Sequence, residues 1–108
     1  MNKMDFKNAS LLRIFLNEKN TFKGKPLYEQ IVLQANELKL AGATVLRGIL
    51  GFGAGHHLHS AKILTLSEDM PVVVEIVDSE ENINKLLPFL KKEASEGIVT
   101  LEKVKVFS

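Results

Sequence analysis

The chain has 108 residues, 45% of them hydrophobic and 25% charged, with 14 Lys and Arg against 13 Asp and Glu, which is the make-up of one folded domain whose near-neutral charge sets up no long-range field toward nucleic acid or an anionic membrane. It has no cysteine and only 6% aromatic residues, which excludes disulfides, thiolate metal sites, a Cys nucleophile and an aromatic platform for stacking bases. Met1 to Ser10 lacks an apolar signal core and no apolar run approaches the ~20 residues needed to span a bilayer, so the expectation is a soluble, cytoplasmic protein over residues 1–108.

Six elements follow along the chain. Residues 10–17 are an apolar run ending at turn residues and read as a strand. A polar loop over 18–25 leads to Pro26, suited to the first position of a helix, after which Tyr28, Ile31, Val32, Ala35 and Leu38 recur at helical spacing. Gly42 is the residue expected to close that helix. Residues 43–51 read as a second strand, 52–61 as a Gly- and His-rich loop with Leu64 to Ser67 extending strand structure, and 67–71 as a turn. Residues 72–77 (Val-Val-Val-Glu-Ile-Val) are rich in β-branched residues and form the clearest strand. Ser79 is a good N-cap, and Glu80 and Glu81 suit the positive end of a helix. Ile83, Leu86, Leu87, Leu90 and Ala94 make that helix's apolar stripe, Pro88 should kink or split it, and Gly97 ends it before a last strand over 98–107. The order β-α-β-β-α-β is an α+β, ferredoxin-like arrangement, with two helices on one face of a four-stranded antiparallel sheet.

Side chains alternate between the two faces of a strand. The sets Leu12/Ile14/Leu16 and Val72/Val74/Ile76 are wholly apolar and are expected to face the helices. The other face then carries Leu11, Phe15, Val73 and Val77, with Val45 and Ile49 from the second strand, and among them Arg13, Arg47 and Glu75. That many apolar side chains in one patch suggests an oligomer packing its sheets together, with the charges pairing across the interface; the plainer alternative is a half-polar solvated sheet.

The most informative stretch is Arg47-Gly48-Ile49-Leu50-Gly51-Phe52-Gly53-Ala54-Gly55-His56-His57-Leu58-His59, which holds four of the seven glycines. Glycine lets a ligand approach the backbone closely, and successive N–H groups in such a turn can cradle an anion. Arg47, Lys62 and the histidines, His57 among them, could add charge-assisted bonds to phosphate. The spacing is not a dinucleotide fingerprint, and a plain hairpin loop explains the glycines equally well.

The order strand, Gly51-Phe52-Gly53, loop, then a valine-rich strand ending in Asp78 before Ser-Glu-Glu resembles the PII signalling proteins. The match is closer to the PII-like family called domain of unknown function 190, whose pattern is similar to Gly24-x-Pro26-Leu27-Tyr28, to Ala41-Gly42-Ala43-Thr44-Val45-x-Arg47-Gly48-Ile49-x-Gly51-Phe52-Gly53, and to Leu66-Ser67-x-Asp69-x-Pro71-Val72-Val73-Val74-Glu75-x-Val77-Asp78. This resemblance implies a homotrimer with sheets lining its centre, and a small-molecule effector, an adenine nucleotide, in clefts between subunits beside Gly51, Phe52 and Gly53. It also implies a protein partner, a membrane transporter being one class by analogy. PII proteins hold phosphates with a second basic, glycine-rich loop before the last strand; here Ala94-Ser95-Glu96-Gly97 is short and acidic, so AMP or ADP is expected rather than ATP. Arg47 is expected either to recognise ligand charge or to pair with Glu75 at the subunit interface.

His56, His57 and His59 offer a competing reading, a metal site like that of the CutA-type trimers, which the family resembles in fold. Imidazoles bind Zn, Cu and Ni, but no carboxylate or thiolate stands nearby in sequence to complete the set. For catalysis there is no framed nucleophile and no paired carboxylates: Ser60 and Ser67 lack an elbow motif, and Glu68, Asp69, Glu80 and Glu81 read as turn and helix-start residues. The expectation is a regulator and not an enzyme.

Overall fold

The protein is described by a computed structural model over residues 5–53, 55–60 and 69–107. The elements are β1 (Phe6–Asn17), β2 (Thr21–Phe22), β3 (Lys25–Pro26), α1 (Leu27–Glu37), β4 (Thr44–Arg47), β5 (Leu50–Gly51), β6 (His59–Ser60), β7 (Pro71–Asp78), α2 (Glu80–Asn84), α3 (Leu87–Glu93) and β8 (Ile98–Phe107). The main sheet has four strands in the order β4-β7-β1-β8, and every neighbouring pair is antiparallel. The ferredoxin-like arrangement read from the sequence is therefore the fold.

The core follows from the alternation in β1 and β7. Leu12, Ile14, Val72, Val74 and Ile76 are all at most 2% exposed. They pack against Leu27, Ile31 and Ala35, one stripe of α1 at four-residue spacing, and against Ile83, Leu86 and Leu90 of the second helical segment. Pro88 splits that segment into α2 and α3, because it cannot donate the helical hydrogen bond expected of its position. Ser79 caps α2 as expected, its Oγ accepting the Asn82 N–H at 3.1 Å.

Several boundaries differ from the sequence reading. β1 begins at Phe6, four residues earlier than the apolar run, since its first rungs pair with the end of β8, where Phe6 and Phe107 rings lie 5.0 Å apart. The loop over 18–25 contains the β2–β3 hairpin, turned by Lys23 and Gly24 at φ 53° and 78°, the left-handed pair that such a two-residue turn requires. Phe22 on that hairpin meets Phe89 of α3 edge-on at 5.4 Å, closing one end of the core. α1 ends at Glu37, and the left-handed residue after it is Lys39 at φ 68°, not Gly42. The expected strand 43–51 is two pieces: β4 belongs to the main sheet, whereas β5 pairs with β6 in a separate hairpin. The strand expected over Leu64 to Ser67 lies outside the described residues.

The face assignment of the second strand is also corrected. Val45 stands opposite Val74 and Leu46 opposite Val73, so Val45 packs on the helix side and Leu46, half exposed, joins the open face. Ile49 lies beyond β4 and is 77% exposed. Arg47 stands opposite Val72, on the helix side, and its Nε donates to Glu18 at 3.2 Å. Within the chain, Glu75 accepts from Arg13 Nε at 2.9 Å, and Arg13 Nη1 donates to Glu102 at 2.7 Å.

Asp78 locks the end of β7. Its Oδ2 accepts the Ala41 N–H at 2.8 Å, and its Oδ1 accepts the Ser79 N–H at 2.6 Å and the Asn82 side-chain amide at 3.0 Å. Burial works against the charge on this carboxyl, but the bonds from Ala41, Asn82 and Ser79 and the charge of Lys85 outweigh it, and its pKa sits below the ordinary value. The unfolded chain therefore binds this proton more readily than the folded one. The stabilisation is complete above the ordinary Asp range, about pH 3.9, and is lost as pH falls through the lower folded value. Asp78→Ala is expected to cost about 2 kcal/mol at pH 7. Urea melts at pH 7 and below about pH 4 should show the gap to wild type narrowing in acid.

Candidate functional site

The glycine segment leaves the main sheet at Arg47 and is shaped at its base by Pro71. The Gly48 N–H donates to the Pro71 carbonyl at 2.7 Å. A Cβ on Gly48 would stand 2.9 Å from Pro71 Cγ, and one on Gly51 would stand 3.1 Å from the same atom. Gly48 is thus held by the chain's own packing, the proline ring lying where its side chain would go, and Gly51 sits tight against the same ring. Gly53 is different. A Cβ there meets no heavy atom within 4 Å among the described residues, and its φ is outside the left-handed region. Nothing described in the monomer requires glycine at that position.

Beyond Gly51 the chain turns back, with His56 N–H donating to the Gly53 carbonyl at 2.9 Å and His56 itself at φ 60°. The Phe52 and His56 rings lie 5.6 Å apart. Phe52 is 61% exposed, and Gly53, His56 and His57 are exposed as well. Gly51 pairs with His59 across the β5–β6 hairpin. The structure therefore brings Arg47, Gly51, Phe52 and Gly53 into one segment at the β4 edge of the sheet. Lys62 lies outside the described residues. The described residues hold no group of three or more His, Cys, Asp or Glu arranged to share a metal ion.

Two features here were not legible from residue spacing. Glu18, just past β1, accepts Arg47 Nε through Oε1 at 3.2 Å and the Met70 N–H through the same atom at 3.3 Å. Its own N–H donates to the Met70 carbonyl at 2.8 Å. These partners lie 29 and 52 residues away, a separation that no local pattern reports. Next to it, Lys19 approaches Asp69 at 3.7 Å.

The second feature is a cleft of about 370 Å³ between the end of β1 and the α3–β8 turn. Leu16, Lys19, Asn20 and Thr21 line one side; Glu93, Ser95, Glu96 and Gly97 line the other. Gly97 is packed so tightly that a Cβ would lie 2.6 Å from the Phe15 carbonyl oxygen and 2.7 Å from Leu16 Cδ2. This cleft and the base of the glycine segment stand at the same end of the sheet, linked through Glu18, which precedes Lys19 of the cleft and bonds Arg47. Another cleft, of about 410 Å³, lies at the far end of β1 between Glu80 and Lys103, away from the glycine segment.

The face opposite the helices carries exposed apolar side chains around a charge cluster. Phe15, Leu46, Val77 and Ile98 are each at least 40% exposed, while Arg13 sits among them bonded to both Glu75 and Glu102. The hydrogen bond to Glu75, opposed by burial and aided by both carboxylates' charge, raises the Arg13 pKa.

Among solved structures, the fold is similar to that of CPII, a nitrogen regulatory PII-like protein from Thiomonas intermedia K12, bound to ADP, AMP and bicarbonate: the TM-score is 0.66 at 18% identity, covering 98% of this chain and 94% of that one. A PII-like signaling protein from Thermus thermophilus superposes with a TM-score of 0.70 at 22% identity, over 95% of this chain and 93% of the other. A UPF0166 protein of Aquifex aeolicus is 44% identical over 96 residues, 89% of this chain and 90% of the relative. The family model DUF190, described as "Uncharacterized ACR, COG1993", matches residues 9–106. With a PII-like fold and a family match running from β1 to β8, the chain belongs to the DUF190 family.

Proposed function

We propose that this protein is a PII-like regulator that assembles as a homotrimer and binds an adenine nucleotide in clefts between subunits. The observation that carries this reading is the exposed stretch at Phe52 and Gly53, where nothing described in the chain requires glycine. The glycine segment leaves the sheet at its β4 edge, and β8 forms the other edge. A ring of copies would set the β4 edge of each beside the β8 edge of the next, so that a neighbour covers the exposed segment. The open face supports the ring, since Arg13 is paired with Glu75 and Glu102 within the chain and Phe15, Leu46, Val77 and Ile98 lie exposed around them.

The ligand class follows from the lining. Arg47 already pairs with Glu18 and Lys19 with Asp69, and Glu93 and Glu96 line the cleft, so little positive charge is left over for phosphate. That balance suits one or two phosphates and repels a third, so AMP and ADP are favoured over ATP. The bound ADP and AMP of CPII support the nucleotide class. Ligand in the cleft would bias the loop that starts at Gly51 toward one arrangement, which a partner protein reads.

Gly53 gives the test. Because a side chain there meets nothing within the described chain, Gly53→Val should fold with an unchanged melting temperature. It should bind AMP and ADP at least roughly tenfold more weakly by calorimetry. Equal affinity in wild type and variant would remove the nucleotide from this segment.

A further inference from the structure

We propose that Glu18 is the positioning residue of the glycine segment, a charge latch that an anionic ligand opens. One carboxylate oxygen holds both ends of the loop at once: Arg47, where the chain leaves the sheet, at 3.2 Å, and the Met70 N–H, where it returns, at 3.3 Å. The return point is otherwise rigid. Met70 is fully buried, and its carbonyl accepts the Glu18 N–H at 2.8 Å, so Glu18 and Met70 grip each other in both directions. Pro71 follows, with Gly48 and Gly51 resting on its ring. Any change at Glu18 is therefore passed directly to the base of the loop.

The Glu18 side chain is 19% exposed and that of Arg47 50%, so Arg47 is the half of the pair that a ligand can reach. A phosphate bound by Arg47 competes with the Glu18 carboxylate for the same guanidinium, because two anions on one cation repel. When phosphate wins, Glu18 keeps its bonds to Met70, and the entry strand stays joined to the exit strand through the Gly48–Pro71 hydrogen bond and the β4–β7 ladder. Anion binding and a looser loop base are then two sides of one coupling. The ligand in this proposal rests on the nucleotide reading above; the latch itself does not.

The test uses the full chain with Glu18→Gln and Glu18→Ala. Glutamine keeps an acceptor for Met70 but removes the competing charge; alanine removes both. Both variants should bind ADP more tightly than wild type, by about fivefold, the worth of one partly exposed ion pair. A residue with a merely structural role would weaken binding. In hydrogen exchange without ligand, the Met70 amide should exchange roughly tenfold faster in Glu18→Ala and stay slow in Glu18→Gln. Unchanged or weaker ADP binding in Glu18→Gln overturns the competition. If wild type and both variants bind neither ADP nor AMP, the nucleotide reading fails, and Met70 exchange decides the latch alone: fast in alanine and slow in glutamine upholds it, equal rates overturn it.

Discussion

Phe15→Glu is expected to convert the assembled protein into a folded monomer. Phe15 lies on the open face, 40% exposed, opposite Val73 on β7 and Ile98 on β8. In one copy its ring touches water, and a carboxylate there costs little. In a trimer the same position meets apolar side chains of other copies, where an unpaired charge costs several kcal/mol, on the order of 3 to 5. Glu75 and Glu102 already engage the Arg13 guanidinium beside it, so a third carboxylate finds no ready cation. Sedimentation velocity at micromolar concentration should read three chain masses for wild type and one for the variant. Far-UV circular dichroism should be unchanged. A wild type that sediments as one chain, or a variant that stays assembled, contradicts the open face as the contact surface.

Gly97→Val carries the largest cost to the fold itself. The new Cβ would lie 2.6 Å from the Phe15 carbonyl and 2.7 Å from Leu16 Cδ2. The first of these is backbone in the β1–β8 ladder and cannot swing aside. Relief requires β8 to shift against β1, disturbing the rung between Phe15 and Ile98 and the floor of the cleft at Lys19. Overpacking of this kind costs about 3 kcal/mol, a fall in melting temperature of roughly 15 °C for a domain of this size. The comparison must be made at one chain concentration, because assembly adds to apparent stability. Gly53→Val is the matched control. The same substitution in open space should leave the melting temperature where it was, so the pair separates glycine needed for packing from glycine needed for a ligand.

The residues explain why some of this could be read in advance. Leu12/Ile14/Leu16 and Val72/Val74/Ile76 admit only one inward face, because the alternate sets contain Arg13 and Glu75. Ser79 and Pro88 act locally, so their cap and their break appear where the sequence puts them. β4 was different. In Thr-Val-Leu-Arg-Gly-Ile-Leu-Gly both phases place apolar residues on either side, and alternation cannot choose between them. The choice is made by pairing with β7 and by Pro71, which ends the strand at Gly48 and sends Leu50 and Gly51 into another hairpin. Arg47 moved with that phase, from the open face to Glu18. The glycine-rich candidate site was visible as a motif. Its division into packed Gly48 and Gly51 and unconstrained Gly53 was not, since it depends on a proline about twenty residues later in the chain.

The most direct test of a site shared between subunits is native mass spectrometry of the freshly purified protein, followed by addition of ADP. The expected result is a species of three chains that takes up as many as three nucleotides, one for each β4–β8 junction. A species of one chain that takes up nucleotide by itself would contradict the shared site.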